Sequence, residues 1–211
     1  MKKNIACPCG SHFSINYDEE VDLDKNPEIL ENILKGVFMS YNCSACSKKH
    51  KPEFKITVIW NSKNLKMRVL PELERGEFYL QRSSQLRNKK EKDSFETIIG
   101  FPEMADRLAV IKDDLDPVVI EALKSYLLIK AAENYPKKKI NAWYHCKGPQ
   151  GIEFHLDGIR ADEVAVMIVP QEIYDNTDND YKKKPKKDPF PSLRVRSYLS
   201  VQNIMRPNML K

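Results

Sequence analysis

The chain has 211 residues, 41% of them hydrophobic, enough to build a core in one large or two small domains. No stretch approaches the roughly 18 uninterrupted apolar residues that a membrane helix needs, which excludes a spanning helix. The formal charge of +5 is a tail property: residues 1–81 carry 12 Lys+Arg and 11 Asp+Glu, residues 82–170 carry 14 and 14, and residues 171–211 carry 9 and 5. A folded nucleic-acid-binding face would show its basic bias within the domain itself.

Met1, Lys2 and Lys3 resemble the charged end of a signal peptide, but only Ile5 and Ala6 stand as apolar residues before the first cysteine, so no apolar h-region follows. The expected setting is the reducing cytoplasm, where paired cysteines serve as metal ligands or redox groups more often than as disulfides.

Residues 2–17 read as two short strands around a turn at Pro8 to Gly10, with Phe13, Ile15 and Tyr17 alternating with polar positions. A helix follows: Asn26 at the cap, Pro27 at the first helical position, Glu28 and Glu31 in the early turns and Gly36 at the end. Ile29, Leu30, Ile33 and Leu34 form its expected buried stripe, and Val37 to Asn42 read as a strand. Phe54–Trp60 and Leu65–Leu70 read as a hairpin joined by four residues, Asn61 to Asn64. Residues 82–93 are almost without apolar side chains and read as an exposed loop or linker, with a domain boundary expected near 80–95.

Asp116 and Pro117 cap a long helix to about Asn134, with Ile120, Leu123, Leu127 and Ala131 at helical spacing. Three β-rich runs follow, Ile140–Cys146, Ile152–Leu156 and Val164–Val169. The middle one alternates and the last, apolar throughout, is expected to be buried. Residues 175–191, with lysines at 182–184, 186 and 187, have the composition of a loosely tethered loop, and Leu193–Met205 is apolar enough to return to the body. The expected organisation is a cysteine module at 1–81, an α+β body at 94–175, a basic loop or linker at 176–191 and a C-terminal segment at 192–211.

Four of the five cysteines form two tight pairs, Cys7 and Cys9 in Ala-Cys-Pro-Cys-Gly and Cys43 and Cys46 in Asn-Cys-Ser-Ala-Cys-Ser. Two short knuckles from distant parts of a chain are how a structural zinc site collects four thiolates, and ion binding then contributes to folding. Zinc on Cys7, Cys9, Cys43 and Cys46 is the favoured expectation. The alternatives are a degenerate site that keeps the fold without the ion, and His12 replacing Cys7 through the spacing Cys9-Gly10-Ser11-His12. A redox role for Cys43 and Cys46 is weaker, because the helix precedes this pair and offers it no N-terminus to lower a thiol pKa.

With the helix and strands between them, these cysteines resemble the CpXC domain, a prokaryotic family named for two Cys-Pro-x-Cys motifs. The similarity extends through the run Asn26 to Phe38, the Val69-Leu70-Pro71 ending, Arg107-Leu108 through Leu115-Asp116 to Val118–Glu121, and Phe154–Ile159, roughly residues 4 to 170. It implies a zinc-ribbon-like N-terminal module joined to a mixed sheet and helix body, an α+β fold. The chain departs from the motif twice: the first pair is one residue short, and the second lacks the proline and the following glycine. Glycine commonly relieves the tight turn of such a knuckle.

Other candidate residues have plainer explanations. His145 and Cys146 are neighbours on a strand and should point to opposite faces. His155 alternates with Phe154 and Leu156 and should face solvent, and His50 should lie on the surface of a lysine-rich turn. The chain has no glycine-rich phosphate loop, no Gly-x-Ser-x-Gly and no His-Glu-x-x-His. The expected role is therefore non-enzymatic binding or scaffolding, with a protein partner favoured and no membrane. A nucleic-acid-associated regulator, making salt-sensitive phosphate contacts through the basic tail, is the alternative. An enzyme using an inter-domain cleft is the third possibility.

Overall fold

A computed structural model describes residues 1–85 and 95–205. It is an α+β protein with a cysteine cluster near its N-terminus. The chain divides into two compact units, Met1–Ala105 and Asp106–Lys211. Among the described residues no helix is long and apolar enough to cross a membrane.

The first unit opens with an antiparallel hairpin of β1 (Lys2–Ala6) and β2 (His12–Asn16), in register from Lys2↔Asn16 to Ala6↔His12. After β3 (Glu20–Asp22) comes α1 (Pro27–Leu34), with proline at its start, where a missing N–H costs nothing. Asn26 occupies the cap position without a side-chain cap bond; its amide donates instead to the Asp22 carbonyl at 3.2 Å. Leu30 and Ile33 are buried, while Ile29 and Leu34 are only half-buried, so the stripe is narrower than expected. The chain leaves the helix through Gly36 at φ +64, and the Val37 and Phe38 N–H groups both return to the Asn32 carbonyl. That wrap consumes most of the strand expected at Val37–Asn42. Only β4 (Tyr41–Asn42) remains, paired antiparallel with β5 (Lys49–His50).

β6 (Ile56–Trp60) and β7 (Leu65–Leu70) form the predicted hairpin. Their alternation buries Ile56, Val58 and Trp60 opposite Val69, Met67 and Leu65. β3 adds in parallel beside β6, and after α2 (Arg75–Gln85) strand β8 (Glu96–Ile99) adds in parallel beside β7. Residues 82–85 of the polar run expected as a loop continue α2; residues 86–93 of it lie outside the described residues. Buried Arg75 binds both Glu72 carboxylate oxygens at 2.7 Å, Glu103 at 2.6 Å and the Ile99 carbonyl at 3.0 Å. Glu53 accepts the Glu72 N–H at 2.6 Å and the Phe101 N–H at 2.7 Å, the latter opening α3 (Phe101–Lys112), within which the two units divide.

The second unit is built on α4 (Pro117–Asn134), whose cap Asp116 accepts the Val118 N–H at 2.7 Å, as the sequence predicts. β9 (Asn141–Gly148), β10 (Gly151–Arg160) and β11 (Glu163–Val169) form an antiparallel meander with β10 in the centre. Val119, Ile120 and Leu123 share one core with Ala142, Tyr144, Ile152, Phe154 and Leu156. Two positions demand glycine: a Cβ on Gly151 (φ +135) would stand 2.2 Å from the Val169 carbonyl oxygen, and one on Gly158 (φ +86) 2.1 Å from that of Lys139.

Two expectations fail in this unit. The apolar run of β11 is not buried: Val164 is 53% and Val166 55% exposed, and Val169 alone in that run is buried. β11 is the outer strand of its sheet and pairs with β10 alone among the described residues, so its apolarity does not report a central position. The basic segment at 176–191, expected as a loop, is helical as far as Lys183, within α5 (Gln171–Lys183). Buried Tyr174, whose hydroxyl accepts the Asp116 N–H at 2.9 Å, anchors α5, and the pairs Gln171–Asp175 and Asp178–Lys182 brace its exposed side. Phe190 and Leu193 then bring the chain back to β12 (Arg194–Val195), β13 (Tyr198–Leu199) and α6 (Gln202–Met205).

Among the described residues of this unit, four charged side chains lie buried: Asp106, Arg107, Glu121 and Lys124. Lys124 donates to Asp106 and, at 2.8 Å, to Glu121. Arg107 stands 3.7 Å from Glu121 and donates to the Leu199 carbonyl at 2.8 Å. The remaining carboxylate oxygens accept backbone N–H groups, Asp106 from Tyr144 and Glu121 from Val201, both at 2.6 Å. Burial pushes Asp106 above its ordinary range despite Lys124. For Glu121 burial pushes the same way, but Lys124 and Arg107 outweigh it and hold the carboxyl low.

Candidate metal centre

Each cysteine pair sits in a tight turn at the end of a two-stranded ribbon. In the first, the Gly10 N–H donates to the Cys7 carbonyl and the Cys7 N–H to the Ser11 carbonyl, both at 2.9 Å, with Gly10 at φ +89. This closes the shortened Cys7-Pro8-Cys9 turn directly onto the β1–β2 hairpin. In the second, the Ser47 N–H donates to the Cys43 carbonyl at 2.8 Å and the Cys43 N–H to the Lys48 carbonyl at 2.9 Å. The two ribbons are tied to each other by Tyr41, whose hydroxyl donates to the Asn16 carbonyl at 3.1 Å, and by the tilted Phe13–His50 ring contact at 5.4 Å.

The turns bring all four sulfurs within 4.8 Å of one another. Cys7 Sγ lies 3.6 Å from Cys46 Sγ, and Cys9 Sγ 3.8 Å from Cys43 Sγ. These separations exceed a disulfide bond nearly twofold, and all five cysteines are free. They match the spacing of about 3.8 Å that four sulfurs take around one ion at about 2.3 Å in a tetrahedral site. The cluster could hold a metal ion through Cys7, Cys9, Cys43 and Cys46. Cys7, not the exposed His12, belongs to it.

The electrostatics suit a cation. The Ser11 hydroxyl and the backbone N–H groups of Ala45 and Cys46 bring the Cys43 thiol down to about 6, and the Ser11 hydroxyl and N–H lower Cys9 as well. The Cys9 backbone N–H pulls Cys7 down, but burial and the neighbouring thiols outweigh it and push Cys7 up to about 12. Four sulfurs this close cannot all ionise by themselves, whereas a divalent ion among them deprotonates every one.

Two contributors were not assigned from sequence. Ser11 Oγ lies 3.1 Å from Cys9 Sγ and 3.0 Å from Cys43 Sγ, and its one hydroxyl proton serves one sulfur at a time. His50, expected on the surface, is half-buried with Nε2 3.3 Å from Cys7 Sγ. Its pairing with Tyr41 across β4–β5 turns it inward. Such hydrogen bonds to ligand sulfurs orient them and temper their charge.

Where the glycine of a knuckle is missing, Ser47 adopts φ +58. The left-handed conformation costs a side-chain-bearing residue about 1–2 kcal/mol, and glycine returns part of the gain through unfolded-chain entropy. Ser47→Gly is therefore expected to stabilise the folded protein by about 0.5–1 kcal/mol in denaturant unfolding.

The first unit also contains an apolar groove of about 380 Å³, lined by Ile33, Phe38, Phe101 and Met104 with Lys51 and Glu53 among them.

The chain is similar to a protein of Treponema pallidum (strain Nichols) described as "Uncharacterized protein", with 29% identity over 214 residues that cover 95% of this chain and 97% of the relative. No solved structure matches it. The family model described as CpXC protein matches residues 5–124, a span that holds both cysteine knuckles, α1 and the sheet of the first unit. With more than half of its length inside that match, the chain belongs to the CpXC protein family.

Proposed function

We propose that this is a cytoplasmic, non-enzymatic binding or scaffold protein. Its zinc-ribbon-like module, residues 1–81, is organised by one structural zinc ion on Cys7, Cys9, Cys43 and Cys46. The observation that carries this is the gathering of the four sulfurs within 4.8 Å of one another, with the pairs Cys7–Cys46 and Cys9–Cys43 at 3.6 and 3.8 Å. A four-thiolate set leaves no coordination position for water or substrate, so the ion holds chain segments together rather than reacting. Unpaired cysteines accord with a reducing compartment. The groove beside Phe38 and Phe101 supports a binding role, being mostly apolar, and its Glu53 is already committed to two backbone N–H groups.

Purified from zinc-replete medium, the protein is expected to carry one zinc through gel filtration and to lose its fold in the first unit on chelation. Absence of zinc together with unchanged folding under chelator overturns the proposal. Binding to mixed DNA and RNA is expected to be weak and to vanish on deletion of residues 176–191. Binding that survives the deletion would instead make the protein a nucleic-acid-associated regulator.

A further inference from the structure

The outer face of the β9–β10 pair carries a second cluster of ligand-type side chains. Ile152, Phe154 and Leu156 of β10 point into the core, so Glu153 and His155, which alternate with them, point outward. On β9 the register slips between Tyr144↔Phe154 and Cys146↔Glu153, leaving His145 as the extra residue of a β-bulge. The bulge sets His145 flat against its neighbour: the His145 and His155 rings stack at 4.0 Å, 14° from parallel.

Both Nε2 atoms lie near the same carboxylate oxygen. His155 Nε2 lies 2.8 Å and His145 Nε2 3.8 Å from Glu153 Oε1, and one ligand atom from each residue lies within 4.8 Å of the others. A hydrogen bond accounts for His155 alone; at 3.8 Å His145 Nε2 is beyond hydrogen-bonding distance of that oxygen, and one of the two near-parallel rings must turn for both nitrogens to meet one ion. An ion held at about 2.0–2.2 Å from two imidazole nitrogens and one carboxylate oxygen places those atoms roughly 3–3.5 Å apart, between the two observed separations. The side chains are 53%, 28% and 30% exposed for His145, Glu153 and His155, which leaves room for water in the remaining positions.

We propose that His145, Glu153 and His155 form a second metal site, for a divalent first-row transition ion of the class that imidazole and carboxylate together select, such as Zn²⁺, Ni²⁺ or Co²⁺. It differs in kind from the cysteine cluster. Its three protein ligands leave coordination open, and it is solvent-accessible, so it binds an exchangeable ion rather than one trapped by folding.

The test is a calorimetric titration of Zn²⁺ into the tag-free full-length chain already carrying one equivalent of metal. A second equivalent is expected to bind in the parent and to be lost, or weakened by at least tenfold, in His145→Asn and in His155→Asn, since even an outer partner of a ligand usually costs about tenfold or more. Both residues are solvent-exposed enough that melting curves should confirm an unchanged fold. Co²⁺ added as the second equivalent is expected to give weak visible bands without thiolate-to-cobalt charge transfer. No second equivalent in the parent, or one that survives both substitutions, overturns the site. So does a cobalt spectrum dominated by thiolate charge transfer.

Discussion

With zinc bound as proposed, replacing Cys43 by serine is expected to release the ion and collapse the paired ribbons of the first unit. Cys43 is 2% exposed, sits 3.8 Å from Cys9 Sγ and 3.0 Å from Ser11 Oγ, and is the thiol brought furthest toward thiolate. Structural zinc contributes on the order of 10–16 kcal/mol to the folding of small modules, as much as or more than the entire stability of a typical domain. β1, β2, β4 and β5 are two-stranded ribbons of two to five residues per strand, and two-stranded ribbons are marginal without outside support. Limited proteolysis checks this: cleavage within residues 1–50 is expected to rise sharply in Cys43→Ser and, equally, in the parent protein under chelator. The second unit, with its own core, is expected to remain resistant in both. Equal resistance of residues 1–50 with and without metal would mean that the hydrogen bonds between the turns suffice.

The second large effect lies in the buried charge network. Lys124→Met is expected to cost about 3–5 kcal/mol, because it strands Asp106 and Glu121 in the interior with Arg107 as the remaining cation. Asp106 also holds the β9 backbone at Tyr144, and Glu121 the C-terminal segment at Val201, so the loss should spread to both. Urea unfolding measures the loss, and a double substitution Asp106→Asn with Lys124→Met is expected to recover part of it, since one uncompensated charge is removed. A cost below about 1 kcal/mol for Lys124→Met would show that water reaches the network. Lys124 itself gives up solvation on burial, yet Asp106 and Glu121 outweigh that cost and raise its pKa above the ordinary value. The stability it contributes is therefore fully present below the ordinary lysine pKa and lost as the pH rises through the raised one.

Much of the fold was legible because local signals and tertiary structure agree. Pro27 and Asp116 mark helix starts that form where predicted, and the alternation in Ile56–Trp60 and Leu65–Leu70 gives a hairpin with one buried face. The misses share a cause, which is that composition does not report neighbours. The apolar run of β11 reads like a central strand, but strand order is set by connections, and a meander leaves it on the outside. α5 reads like a loop because its charges outnumber its apolar residues, and the hydrogen bond that anchors it, Asp116 to Tyr174, joins residues 58 positions apart.

At the candidate metal centre the clustering of the four cysteines was legible from their pairing. Ser11 and His50 were not, because each reaches a sulfur only once a turn or a strand pair has formed: Ser11 through the closed Cys7–Gly10 turn, His50 through its register with Tyr41. His145 is the clearest case. Alternation alone separates it from Cys146 but cannot foresee the bulge that lays it on His155.

The most direct measurement of the central claim is zinc K-edge X-ray absorption on the protein loaded with a single equivalent of zinc. The four-thiolate centre predicts one shell of four sulfurs at about 2.3 Å. A shell containing nitrogen or oxygen, or a protein that takes up no zinc at Cys7, Cys9, Cys43 and Cys46, would contradict it.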